Sequence, residues 1–281
     1  MAKCWICNGD LPLTGEHKFK ASLLRKGYGK KYKNEDSLYL IKNGQPKEEE
    51  RIESYKSPLV KFENSICADC NNAKTDPHDN SFDQFMSYIE SNYHLLLEQQ
   101  NLNFESIFQL DWLTQKRNLF KYLAKIIGCK LQSINKESPL NELSNFIIED
   151  LTPYRFNIKF ELNEGVHYLY QSAKINNKNY YHLYYGSTTY YVNRKHDMSF
   201  GGWVSFQWIT VHWIFSSYIK SSIKDNLSSS CSSLKIKSIN DCKSFINMTP
   251  LEIVEEIETS SRENQQKRYK HCMQMEDEKY L

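Results

Sequence analysis

Two pairs of cysteines have the types and spacing for chemistry. Cys4 and Cys7 form C-W-I-C, and Cys67 and Cys70 form C-A-D-C. Two intervening residues let one tight turn present both sulfurs to one ion. Two such pairs supply the four thiolates of a tetrahedral structural zinc site. The gap of about sixty residues between the pairs is far longer than ordinary zinc-finger spacing. Folding must therefore bring them together around an insertion. The alternative is two unrelated redox or buried cysteine pairs. The remaining cysteines, Cys129, Cys231, Cys242 and Cys272, fall singly. With His271, the last three make a second candidate set that lacks the paired spacing.

Between the pairs lie further reactive residues. L-T-G-E-H-K-F-K follows the first pair and places Glu16 beside His17; F-E-N-S-I-C leads into the second; C-N-N-A-K-T-D follows it. Taken in order, C-x-x-C, Glu-His, Asn and C-x-x-C-N-x-x-K resemble the HNH nuclease family with its ββα-metal fold, over residues 1 to about 90. Within that family they are most similar to a small bacterial branch with T-x-E-H and C-x-x-C-N-N elements. The resemblance implies a metal-dependent endonuclease that hydrolyses DNA phosphodiester bonds, of a kind found in mobile elements, restriction and antiphage defence. It implies His17 as general base and Asn64 as the residue orienting it. It also implies Glu16 and Asn71 as ligands of a catalytic Mg²⁺ or other divalent ion, and Lys74 as a phosphate contact. The chemistry suits the residues. A neutral imidazole is a natural base near pH 7. Mg²⁺ prefers oxygen ligands and keeps several waters, so two protein ligands suffice. Neighbours on a strand point to opposite faces, so Glu16 and His17 can serve one site only with local distortion. His78, in T-D-P-H-D, reads as a solvated loop histidine, and Asp76 and Asp79 as supporting carboxylates or helix caps.

Residues 18–33 carry Lys18, Lys20, Arg25, Lys26, Lys30, Lys31 and Lys33 with no acid. Beside His17, this stretch reads as a flexible basic segment for backbone phosphates; the plain alternative is a solvated loop. A competing nucleic-acid surface is the tyrosine-rich sheet around Tyr180, Tyr181, Tyr184, Tyr185, Tyr190 and Tyr191. Overall, 36 basic against 34 acidic side chains leave a net charge of +2. That excludes a uniformly basic coat, so any nucleic-acid surface must be local. Aromatics at 14% exclude disorder as the main state.

These residues need a scaffold. The expected fold is α+β: a zinc-stapled ββα nuclease module over 1–95, elaborated at about 18–62, and an α+β domain over 96–281 for recognition, dimerisation or partner docking. Two strands flank Asn43-Gly44, a hairpin signal. From Ser81, Phe82, Phe85, Met86, Ile89 and Tyr93 recur at helical steps, capped by Asn80 or Ser81. Asp111 caps a second helix, and a third spans about 140–150. FNIKFEL, VHYLYQSAKI, YYHLYYGSTTYYV and WVSFQWITVHWIF read as strands of an antiparallel sheet, with turns at Asn176-Asn177 and Gly201-Gly202. Ser228–Ser233 reads as a loop, and Thr249-Pro250-x-Glu252 as a capping-box start of a final helix. The N-terminus lacks the apolar core of a secretory signal, and Trp203–Phe215 is too short to span a bilayer. A cytoplasmic protein follows, with DNA and a protein partner or second copy as candidate partners. A zinc-stabilised nucleic-acid-binding or scaffold protein without catalysis is the other reading.

Overall fold

The computed structural model describes residues 3–32, 38–42, 45–134, 140–175, 180–186, 188–192, 198–216 and 223–238. In chain order it runs β1 (Leu13–Thr14), α1 (Ala21–Tyr28), β2 (Leu38–Lys42), β3 (Gln45–Ile52), β4 (Ile66–Cys67), α2 (Ala68–Asn71), α3 (Asp76–Ser91), α4 (Tyr93–Gln99) and β5 (Asn101–Asn103). It continues with α5 (Phe104–Phe108), α6 (Trp112–Ile134), α7 (Asn141–Glu149), β6 (Phe156–Asn163), α8 (Glu164–Ile175), β7 (Leu183–Tyr185), β8 (Thr189–Val192), β9 (Met198–Phe206), β10 (Ile209–Phe215), α9 (Ile223–Ser228) and β11 (Cys231–Lys237). The class is α+β, as expected. Strands β2 and β3 pair antiparallel around Asn43 and Gly44, which lie outside the described residues, as do Asn176-Asn177 and the Thr249 capping box.

Helices α3 and α6 form the centre. Helix α3 starts at Asp76, one turn earlier than the apolar stripe suggests, with Pro77 in its first turn and Asp76 and Asp79 favouring the positive helix start. Phe82, Phe85, Met86 and Ile89 make its buried stripe. Phe82 stacks on Tyr122 of α6 with ring centres 4.1 Å apart. The sheet backs this helix pair. Phe160 of β6 meets Phe85 and Phe120 at 5.8 and 6.0 Å, and Phe206 of β9 meets Phe82 at 4.9 Å. One apolar cluster runs from Cys4 to Leu234, continuous across residues 95 and 96.

The sheet departs from the sequence reading in four ways. Its order is β5-β11-β6-β10-β9-β7 with β8 beside β9, and β11 runs parallel to β6, so it is mixed rather than antiparallel. Cys231–Ser233 belongs to β11 and pairs with β5; it is not a loop. VHYLYQSAKI is helix α8, because Asn163 caps it: its side-chain oxygen accepts the Val166 N–H at 3.1 Å, and Glu164 follows in the first turn. Gly201-Gly202 is no turn either. Both sit inside β9 opposite Ile214 and Trp213, and a Cβ on Gly202 would come within 2.8 Å of the Trp213 ring. The turn is at Gln207-Trp208, where Gln207 adopts φ 53°. No helix among the described residues is long and apolar enough to cross a membrane.

His78 is not in a solvated loop. It lies 5% exposed in α3, and its Nδ1 has no hydrogen-bond partner among the described residues. Burial, helped by Lys121 and Lys125, pushes its pKa down to about 3. His167, buried on α8, is pushed down to about 4 by burial and by His94. An unfolded histidine takes up its proton near pH 6.5, whereas these do not. Between those limits the unfolded chain binds more protons, so stability is full above pH 6.5 and falls as pH drops below it. His78→Leu is expected to remove about 2 kcal/mol of the stability difference between pH 7 and pH 5. Urea unfolding of both proteins at the two pH values checks this; identical pH slopes would refute it.

Candidate functional site

The four-cysteine cluster, the candidate metal centre, is built by a short antiparallel pairing. Leu13 faces Cys67 and Thr14 faces Ile66, which lays the second cysteine pair against the chain that follows the first. The first pair sits on a tight turn: the Asn8 N–H donates to the Cys4 carbonyl at 2.8 Å, and Asn8 takes φ 57°. The Trp5 N–H donates to the Ser65 carbonyl at 3.1 Å and ties this turn to β4. Cys67 and Cys70 flank the start of α2, where the Thr75 hydroxyl donates to the Cys70 carbonyl at 3.1 Å.

The four sulfurs lie within 4.8 Å of one another, and the thiols of Cys7 and Cys67 are 3.7 Å apart. A tetrahedron with metal–sulfur bonds of about 2.3 Å has edges of about 3.8 Å. A disulfide would need about 2.05 Å, and all four cysteines are free. The cluster could hold one metal ion such as zinc. Burial pushes the thiols of Cys4 and Cys70 up, so their protons leave readily only to a cation that replaces them. Of the other candidate set, Cys231 lies exposed on β11, while Cys242, His271 and Cys272 fall outside the described residues.

Past Thr14 the pairing is irregular. His17 bridges Lys61, so three residues of one strand span five of the other. Gly15 makes this close approach workable: a Cβ there would meet the Phe62 carbonyl at 2.5 Å. The bulge does not bring Glu16 and His17 to one point. Glu16 turns inward, 7% exposed, toward α3 and α6. Its carboxylate lies 3.5 Å from the Lys125 ammonium. His17 turns toward the inserted segment, where its Nε2 is 3.1 Å from the Tyr55 carbonyl oxygen. A carbonyl only accepts, so Nε2 carries the hydrogen and Nδ1 keeps a lone pair. Burial pushes the His17 pKa down, and Lys61, Arg25 and Lys125 add to the effect against the Tyr55 carbonyl. The ring is neutral at pH 7.

The other expected site residues scatter. Asn64 is exposed, and its side-chain oxygen lies against Gly15; the partner of the His17 ring is the Tyr55 carbonyl instead. Asn71 is half-buried and donates to the Thr14 hydroxyl at 3.0 Å. Lys74 is exposed in the turn between α2 and α3. The basic stretch is not a flexible segment. Residues 21–28 form α1, which buries Leu23 and Leu24. Lys18 donates to the Leu59 carbonyl at 2.8 Å, Lys20 pairs with Asp83 at 2.7 Å, and Lys26 pairs with Glu90. Arg25 lies 5.0 Å over the Tyr55 ring and Lys56 lies 5.9 Å from it, while Lys30 and Lys31 are exposed. Tyr55, Lys56 and Lys61 carry no motif, and Tyr55 acts through its backbone, so nothing in the sequence marked them. Of the competing tyrosines, Tyr180, Tyr181 and Tyr185 pack on the core, and the side chains of Tyr190 and Tyr191 lie outside those described.

The residues do not fit a divalent ion on Glu16. Its carboxylate already faces the Lys125 ammonium in a buried setting.

The metal centre leans on α6 through one glycine. A Cβ on Gly128 would stand 2.3 Å from the Trp5 ring. Alanine is the better helix former by about 1 kcal/mol, yet Gly128→Ala is expected to lower the melting temperature and speed loss of metal to a chelator, because Trp5 must move. Calorimetry and a chelator-release time course check both. A variant as stable and as retentive as wild type would show that Trp5 does not anchor the centre.

Comparison with protein families, with curated proteins and with solved structures finds no match, so the reading of the site stands on its geometry.

Proposed function

We propose that the protein is an HNH-type endonuclease that hydrolyses DNA phosphodiester bonds, with a structural zinc ion on Cys4, Cys7, Cys67 and Cys70. The observation that carries the reading is the His17 ring held by the Tyr55 carbonyl at 3.1 Å. That bond leaves Nδ1 as the proton acceptor, and it orients the ring without a charged partner. Nδ1 takes a proton from water as the oxygen attacks phosphorus; the bond to the leaving oxygen breaks, that oxygen takes a proton from solvent water, and His17 returns its own to solvent. Arg25, Lys56 and Lys61 supply positive charge around Tyr55 and His17 for the phosphate. Zinc contributes folding energy and no chemistry.

A second reading has one observation in its favour. Glu16, the expected metal ligand, is taken up by Lys125, which suits a zinc-stabilised binding or scaffold protein that does not cut.

Plasmid nicking separates the two. His17→Ala is expected to lose about 10²- to 10⁴-fold in rate while keeping zinc content and secondary structure. Equal activity of the variant, or no cleavage by wild type, would sink the nuclease reading. The salt dependence of binding locates the phosphate contacts. Arg25→Ala and Lys61→Ala should each flatten the slope of log affinity against log salt by about one unit. Lys26→Ala should change it little, since Glu90 already matches that charge. A larger effect from Lys26 than from Arg25 would place the DNA elsewhere.

A further inference from the structure

The cation under the hairpin is already part of the chain. Lys125 of α6 is 1% exposed. Its ammonium lies 3.1 Å from the Thr75 hydroxyl, 3.2 Å from Asp79 Oδ2 and 3.5 Å from Glu16 Oε2. An ammonium has three donors and no acceptor, and three oxygen-bearing side chains meet it. The donors are all oxygen, the set a hard divalent cation prefers. The spacing is that of N–H···O contacts, well beyond the roughly 2.0–2.1 Å of magnesium–oxygen bonds. Each oxygen comes from a different element: Glu16 from the chain after β1, Thr75 from the turn before α3, and Asp79 from α3 itself. The Tyr122 ring closes one side, its centre 5.6 Å from the ammonium.

We propose that Lys125 is the built-in cation of this centre: Glu16, Asp79 and Thr75 hold its ammonium where the HNH resemblance would put a divalent ion on Glu16. The inference takes from the nuclease reading only the choice of Glu16 as the metal position. It makes Lys125 a positioning residue that locks the Glu16–His17 segment to α3 and α6. It also makes Glu16 unavailable to Mg²⁺.

The test is Mn²⁺ binding to the zinc-loaded full chain, followed by the electron paramagnetic resonance signal of free Mn²⁺. Wild type is expected to bind none at this centre, so that Glu16→Gln leaves the isotherm unchanged. Lys125→Ala leaves two carboxylates, buried Glu16 and half-buried Asp79, facing one space and is expected to bind one Mn²⁺ per chain. The double variant Lys125→Ala, Glu16→Gln is expected to lose it. A wild-type chain that binds one Mn²⁺, with binding abolished by Glu16→Gln, overturns the proposal. That pair decides the matter even if Lys125→Ala fails to fold. Neither outcome depends on cleavage: a chain that never nicks DNA but shows no Glu16-dependent Mn²⁺ binding refutes the nuclease and keeps the built-in cation.

Discussion

A lysine taken out of water loses its hydration, and only carboxylates and well-placed oxygens can replace it. Lys125 meets this condition from three directions, through Glu16, Asp79 and Thr75. Burial alone would push its pKa down, but the two carboxylates outweigh burial and raise it, so the ammonium stays charged. Glu16 shows the other side of the balance. Its burial outweighs the attraction of Lys125 and pushes its pKa up. Removing one partner from such a buried pair typically costs about 3–5 kcal/mol, because the other is left uncompensated. The N-terminal hairpin is thus held to the central helices by charge as well as by apolar packing.

The four sulfurs do a different job. Strands β1 and β4 are two residues each, far too short to close a long insertion on hydrogen bonds alone. A metal on four thiolates would fasten the same junction from outside, and its binding energy would be folding energy. Trp5 then passes the constraint to α6, where Gly128 leaves room for the indole. Two attachments therefore meet on one helix: Trp5 over Gly128, and Glu16 on Lys125 one turn earlier. The inserted segment between the strands returns Tyr55 to the His17 ring.

Legibility in the sequence followed the range of the interactions. The cysteine pairs could be read because knuckle spacing is local covalent geometry. The stripes of α3 and α6 could be read because period 3.6 is local too. Helix α8 was misread because aromatic content outweighed the cap at Asn163, which was there to be seen. Gly201 and Gly202 were misread because the reason for them is Trp213, a neighbour across the sheet. The parallel placement of β11 depends on a long-range crossover that no short pattern encodes. At the site, Lys125 stood in an apolar helical stripe with no motif around it. The Tyr55 contribution is a backbone carbonyl, which every residue has, so side-chain pattern carries no trace of it.

The adjacent pair Glu16–His17 shows what a strand does with neighbouring polar residues. In an extended chain successive side chains leave on opposite faces. The bulge at Gly15 shifts the register but does not cancel that alternation. Glu16 enters the interior and meets Lys125, while His17 stays half-buried at the insertion and meets Tyr55. One residue is placed where water is scarce and charge must be matched. The other is placed where a ring nitrogen can remain unprotonated and open. Separate environments, set by one peptide unit of chain direction, divide a buried anchoring carboxylate from a half-buried, neutral imidazole. The peptide that anchors Glu16 to Lys125 is the one from which the imidazole springs, so fixing the carboxylate also limits where the ring can sit.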